Sequence, residues 1–271
     1  MLEPVTSAVN PRAPRTKASR YRSALWLLTK RDLRVRYSTS ALGYVWSILD
    51  PLVMAGIYWF VFTVVFDRGD RIGEQPYIVF LLAGLLPWMW FTGTISDCTR
   101  AFLKDAKLVR STSIPRSIWV NRLVLSKGIE FVASLPVLAA FALVYNAPIT
   151  WFALLFPLGI LLQAVLIMGI GLIIAPAVVF FRDLERATKL ILRFLFYASP
   201  IVYGFSDLPE SIQPFAAFNP LAGIMSIYRS AFFADQLNVF AVAMSVLVSV
   251  VLLAIGVLVF SRSERSVLKE L

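Results

Sequence analysis

From Phe131 to Phe181 the chain carries no charged side chain, and no fold with a single water-facing core can bury so long a stretch. A helix needs about 20 predominantly apolar residues to cross a bilayer, so this run holds material for two crossings. Asn146-Ala147-Pro148 near its middle is turn chemistry and divides the run into spans over 123–145 and 150–180. Further crossings are expected over 42–66, where Asp50 is the only charge, over 77–96 and over 236–261. The 271 residues are 59% hydrophobic and 15% charged, against about 45–50% and about 25% in ordinary soluble domains. With no His and one Cys, the chain has no imidazole for acid–base work or zinc, no disulfide framework and no Cys-rich metal site. The expected class is an all-α integral membrane protein.

Residues 187–228 are harder to place. The uncharged run 194–206 is too short to cross alone, so a fifth span must borrow the turn with Lys189 and Arg193, whose long stems reach toward headgroups. Residues 211–228 are also uncharged, but Pro214 and Pro220 interrupt them and Gln213 and Asn219 dilute them. They read as re-entrant or interfacial short helices, with a seventh span as the alternative. Charge separates the two. With six spans, every Lys and Arg except Arg68, Arg71 and Arg229 falls on one side, which the positive-inside rule makes cytoplasmic together with both termini. A seventh span would put the basic C-terminal tail outside. The expected organisation is a disordered cytoplasmic tail over 1–19, an amphipathic interface helix over 20–37 and a six-span domain over 38–271, with re-entrant gate helices between spans 5 and 6. The polar, basic beginning lacks the apolar core of a cleavable signal peptide, and no internal repeat suggests an inverted-repeat transporter.

Helical spacing places Tyr21, Ala24, Leu25, Leu28 and Val35 on one face, with Arg20, Lys30, Arg31 and Arg34 opposite. Asp32 falls in the apolar sector, four residues before Arg36, a favourable order for an ion pair. Such a helix lies at headgroup level, where each Lys or Arg adds about 1 kcal/mol of attraction to anionic lipid. Two readings stay open. The cluster is a topology anchor, or Lys30, Arg31, Arg34 and Arg36, with Tyr37 beside them, also meet the phosphates of a lipid-linked substrate through guanidinium forks.

Lys30-Arg31-Asp32-Leu33-Arg34-Val35-Arg36-Tyr37, then Leu42-Gly43-Tyr44-Val45-Trp46 and Asp50-Pro51, resemble the opening signature of the ABC-2 type exporter permeases. The similarity is to the polysaccharide branch, which exports O-antigen, capsule and teichoic acid. Gly84-Leu85-Leu86-Pro87-Trp88, Ile114-Pro115-Arg116, Phe181-Arg182-Asp183-Leu184 and Asn219-Pro220-Leu221 continue it in order. The resemblance implies a homodimeric half-transporter that pairs with two copies of a separate nucleotide-binding subunit. It would move a polyprenyl-diphosphate-linked glycan out of the cytoplasm across the bacterial inner membrane. It implies no cofactor or metal on this chain, ATP and Mg residing on the partner, and no nucleic-acid partner. Independently, the chain has no G-x-x-x-x-G-K-[ST] phosphate loop, so it cannot cradle nucleotide phosphates by that route.

Candidate sites follow. In the loop 97–126, Lys104, Asp105, Lys107 and Arg110 surround Leu108 and Val109 on a short helical stretch, and Ile114-Pro115 stiffens a turn before Arg116. Exposed apolar residues rimmed by charge suit docking, and the family's coupling helix lies here; an ordinary solvated loop is the alternative. The short link 181–186 adds Arg182 and Asp183 to the coupling set, although a structural pair of Arg182 with Asp183 or Glu185 fits equally well. Sugar rings stack their C–H faces on aromatics, which makes Tyr58, Trp59, Phe62 and Trp88 candidates for lining a glycan channel; Trp and Tyr also gather at membrane interfaces without such a role. Asp50 and Glu130 are costly at membrane depth and hence functional candidates, unless each pairs with a nearby cation, Lys127 being the evident partner of Glu130. Pro209, Pro214, Asn219 and Pro220 would bend the chain back toward the membrane as an outer gate.

Two competing functions are weaker. A transferase acting on polyprenyl phosphate needs clustered carboxylates, and those on the cytoplasmic side are scattered beside Arg or Lys. An exporter of a drug or small lipid keeps the fold but leaves the basic helix and aromatic first span without a role. Arg outnumbers Lys 19 to 7, which together with the resemblance points to an actinobacterial member carrying a wall galactan.

Overall fold

The computed structural model describes residues 16–38, 43–65, 76–112 and 114–270, which form helices joined by turns with no strand among them. Expectations for residues 1–15, Arg68 and Arg71, and for the side chains of Tyr37 and Phe62, lie outside the described residues. In chain order the helices are α1 (Lys17–Ser38), α2 (Trp46–Trp59), α3 (Tyr77–Cys98), α4 (Ala106–Ser111), α5 (Ile118–Val144), α6 (Phe156–Phe180), α7 (Leu184–Ala198), α8 (Gln213–Ala217), α9 (Pro220–Ser230) and α10 (Val239–Glu270). Four of them, α3, α5, α6 with the 3-10 turn before it, and α10, are long and apolar enough to cross a membrane. α2 continues as a π-helical turn over Phe60–Val65. α1 begins three residues earlier than the sequence suggests, because Thr16 caps it, its Oγ1 accepting from the Ser19 N–H at 3.2 Å.

Apolar on every side, α3 occupies the middle of the bundle. It is buried almost without interruption from Tyr77 to Phe91, packed against α2, α5, α6 and α9. α6 and α10 run together through two glycines. A Cβ on Gly256 would lie 2.4 Å from the Gly169 carbonyl oxygen, and one on Gly169 would lie 2.6 Å from the Leu253 nitrogen. Lipid tails supply no hydrophobic drive between helices, so this backbone-to-backbone approach, rich in dispersion contacts, holds the pair.

The expected fifth span does not form one continuous helix. α7 has 15 residues, a rise of about 22 Å against a hydrocarbon core of about 30 Å. Pro200 ends it: proline lacks the N–H that a helix needs and disfavours helical backbone in the residue before it. Ser199 is accordingly extended, at ψ 146°. Turns follow to Ile212, then α8 and α9. Asn219 caps α9, its Oδ1 accepting from the Leu221 N–H at 3.0 Å while its Nδ2 donates to Ser199 Oγ at 2.9 Å.

α9 is buried from Leu221 to Ser230. Near its end, Arg229 donates from Nη2 to the Ile201 carbonyl at 2.6 Å and from Nη1 to the Tyr203 carbonyl at 2.9 Å. Its guanidinium lies 3.6 Å from the centre of the Phe80 ring. Gly84 makes the space, since a Cβ there would meet Arg229 Nη2 at 2.9 Å. A residue that the sequence leaves in a loop thus fastens the broken segment to the central helix.

Candidate functional site

The basic end of the bundle is organised around Arg122, near the start of α5 and only 2% exposed. Its Nη1 donates to Asp32 Oδ1 on α1 at 3.1 Å, and its Nη2 to Asp105 Oδ2, just before α4, at 2.5 Å. The guanidinium also stands 4.6 Å from the Trp119 ring centre. Arg31 adds a bond to Asp105 Oδ1 at 3.1 Å. One buried cation thereby joins α1, the turn 99–105 and α5. Beneath it lie Leu28, Phe102, Val109, Ile118 and Phe260, a second apolar core separate from the one around α3.

Two further ion groups extend the network. Arg36 reaches Asp97 at 2.8 Å and Glu130 at 3.5 Å, and Lys127 holds Glu130 at 3.1 Å. Glu185 at the start of α7 pairs with Arg100 and, at 2.8 Å, with Lys189. An open cleft of about 930 Å³ lies among α1, the turn 99–105, α5 and α7, bordered by Arg31, Asp97, Arg100, Lys104 and Glu185.

The charges act differently on each carboxyl. Burial pushes Asp32 above its ordinary value, and Arg122 only partly counters it. Burial also pushes Asp105 up, but the hydrogen bond and charge of Arg122, with Arg31 behind them, outweigh it and leave Asp105 below the usual range.

The pairs differ from those that helical spacing suggests. Asp32 meets Arg122 rather than Arg36, and Glu185 meets Arg100 and Lys189 rather than Arg182; Lys127 does pair with Glu130. Of the basic face of α1, Lys30 and Arg34 point outward, while Arg31 and Arg36 are engaged by carboxylates. Lys30 Nζ lies 5.3 Å from the centre of the Trp26 ring. The opposite face, Tyr21, Ala24, Leu25 and Leu28, packs into protein, and Val35, Trp26 and Leu27 are the exposed apolar residues. The reason is local: α1 lies along α5, with Asn121 Nδ2 donating to Tyr21 Oη at 2.7 Å.

Around α4, Lys104, Arg110 and Pro115 are exposed, and Leu108, Ile114 and Arg116 are half-buried. Val109, expected at the surface, is fully buried in the second core. The helix itself begins at Ala106, after turns over 99–105. Arg182 and Asp183 are exposed in the three-residue link between α6 and α7. Tyr58 stacks on Phe196 of α7, ring centres 5.5 Å apart, and Trp88 meets the same Phe196 edge-on at 5.5 Å. Trp88 is buried and Trp59 faces outward. Pro209 lies exposed before α8 and Pro214, also exposed, in the first turn of α8, whereas Asn219 and Pro220 begin the buried α9.

Arg122, Asp97 and Arg100 carry this network, although nothing in the sequence reading singles them out. Arg122 did carry a signal, since it lies inside the first turns of an apolar helix, three residues after Trp119. Among the described residues no group of His, Cys, Asp and Glu could hold a metal ion.

Residues 23–233 match the family model described as ABC-2 type transporter. An O-antigen export system permease protein of Klebsiella pneumoniae is 33% identical over 239 residues, covering 88% of this chain and 91% of that protein. A protein of the same description from Myxococcus xanthus is 32% identical, covering 80% and 83%. A polysialic acid transport protein of Escherichia coli is 23% identical, covering 88% and 92%.

Proposed function

This chain belongs to the ABC-2 type transporter family, and on that premise we propose that it is the membrane subunit of an ATP-driven exporter of a lipid-linked polysaccharide. It works as a homodimer with two copies of a separate nucleotide-binding subunit, in a bacterial inner membrane with both termini in the cytoplasm. The observation that carries this is the one-third identity with the Klebsiella O-antigen export permease over nearly the whole of both chains. The cargo is an O-antigen, teichoic-acid or galactan type polymer on a polyprenyl diphosphate.

In this reading the chain crosses six times. The fifth crossing begins with α7 and is completed by the irregular segment after Pro200, with α8 and α9 folded back behind it as the outer gate around Pro209, Pro214, Asn219 and Pro220. Irregular backbone is tolerated at membrane depth where protein covers it, as over the buried Ile201 and Val202. The ionic network lies at the cytoplasmic end. A nucleotide-binding subunit pressing on Lys104, Arg110 and Pro115 moves the α4 segment, which Asp105 and Arg122 tie to α1 and α5. Leu108, Ile114 and Arg116 back that surface, and Arg182 and Asp183 extend it beside α7. Lys30 and Arg34 offer the outward cations for the diphosphate, with Arg31 and Arg36 behind them, and Tyr37 belongs to the same proposed set. Tyr58 and Trp88, bridged by Phe196, together with Trp59 and Phe62, supply aromatic surface for sugar rings.

Depletion in the host tests the reading. A lipid-linked polymer should accumulate inside and disappear from the surface, and tagged protein should co-purify with an ATPase. Unchanged surface polymer after depletion, or transport by the purified chain alone down an ion gradient, overturns it.

A further inference from the structure

Between α2, α3 and α5 lies a cleft of about 310 Å³, at the small end of the roughly 300–1,000 Å³ usual for ligand pockets. Distant parts of the chain converge on it: Arg36 from α1, Trp46 and Asp50 from α2, Met89 from α3, and Lys127 and Glu130 from α5. Asp50 is the sole charge in the apolar stretch 42–66, and it makes no ion pair within 4 Å among the described residues. A carboxylate kept in such a stretch costs free energy and marks a functional site by default.

The chemistry left over after the internal pairs defines the ligand. The cations beside Asp50 are already neutralised, Arg36 by Asp97 at 2.8 Å and Lys127 by Glu130 at 3.1 Å. A diphosphate would therefore meet spent cations and the repulsion of Asp50. Among the described lining residues Glu130 Oε1 is buried without a hydrogen bond, and three further groups remain open. The Asp50 carboxylate is an acceptor, the Lys127 ammonium has donors beyond the one it gives Glu130, and the Trp46 indole is 41% exposed. Acceptor, donor and aromatic face together suit a ring with hydroxyls on its edge and C–H bonds on its faces.

We propose that this cleft is a binding site for one uncharged sugar ring, lying on Trp46 with hydroxyls donating to Asp50 and accepting from Lys127. The inference rests on the polysaccharide reading and adds a sugar subsite apart from Tyr58, Trp59, Phe62 and Trp88.

Equilibrium dialysis of the full-length protein in detergent tests this. The probes are radiolabelled methyl galactoside, methyl mannoside and methyl N-acetylglucosaminide, with inorganic pyrophosphate and ethanolamine as contrasting ligands. At least one glycoside should bind saturably. Trp46→Leu and Asp50→Asn should each weaken it by at least about tenfold, while Trp151→Leu, at an exposed position outside the cleft, should not. If Asp50→Asn fails to give monodisperse protein, Trp46→Leu decides alone. The proposal is overturned if no glycoside saturates, if binding survives the Trp46 substitution, or if pyrophosphate or ethanolamine binds instead. The assay needs neither ATPase nor transport, so its failure leaves the exporter reading standing, and failure of the depletion test leaves any sugar binding intact.

Discussion

Arg122 and Asp105 meet at 2.5 Å, and the other nitrogen of the same guanidinium holds Asp32, 90 positions away in the chain. Replacing Arg122 with Gln leaves the largely buried Asp32 without its cation and Asp105 with Arg31 alone. Breaking a buried pair from one side costs about 3–5 kcal/mol, and the partial exposure of Asp32 puts the expected loss at the lower end. Thermal unfolding in detergent should register it as a clear drop. The triple variant Arg122→Met, Asp32→Asn, Asp105→Asn should recover most of the loss, since it removes the orphaned charges as well. An unaltered melting curve for Arg122→Gln would sink the clasp as a structural element.

Asp32 and Asp105 should tilt the acid side of the stability curve in opposite directions. The folded pKa of Asp105 is depressed, so its contribution is present above the ordinary aspartate range and lost as pH falls through the folded value. That of Asp32 is raised, so its contribution is full below the ordinary range and lost as pH rises through the folded value. Between pH 3 and pH 6, Asp105→Asn should flatten the rise of melting temperature with pH, and Asp32→Asn should steepen it. Slopes changing in the same direction would contradict the assignment.

Gly256 admits no side chain while α6 and α10 keep their spacing. Even Ala would place a Cβ 2.4 Å from the Gly169 carbonyl, and Val more atoms still. Overpacking of this kind costs about 1–3 kcal/mol, and here the opposing group is rigid backbone. Gly256→Val should lower the yield of monodisperse protein well below that of Val257→Ala, an exposed neighbour. Equal yields would show that the helices separate easily.

Arg229 fastens residues 201–203 to α3, and its removal should release them. Arg229→Met keeps much of the bulk over Phe80 but leaves the carbonyls of Ile201 and Tyr203 short of a donor each, at about 1–3 kcal/mol for a buried group. A cysteine placed at Ser206, after Cys98→Ala, should react with a maleimide faster when Arg229→Met is added. An unchanged rate would mean that other contacts hold the segment.

Some of this was open to inspection before any coordinates. Uncharged runs mark the long helices because an apolar backbone must satisfy its hydrogen bonds within itself. The break after α7 was also written in the chain, at Pro200, although the uncharged residues beyond it suggested a continuing span. The two short helices after it match the punctuation by Pro214, Asn219 and Pro220.

By itself the sequence determined which segments are helical, since helix formation depends on neighbours one turn away and on prolines that interrupt it. Which charges neutralise one another was decided only by the tertiary structure. Asp32 had a partner four residues on, in Arg36, yet α1 lies along α5, so Arg122 reaches Asp32 while Arg36 turns to Asp97 and Glu130. Local spacing supplies candidate partners, but the cost of leaving a cation such as Arg122 buried and unpaired selects among them, and that cost exists only once the helices have packed.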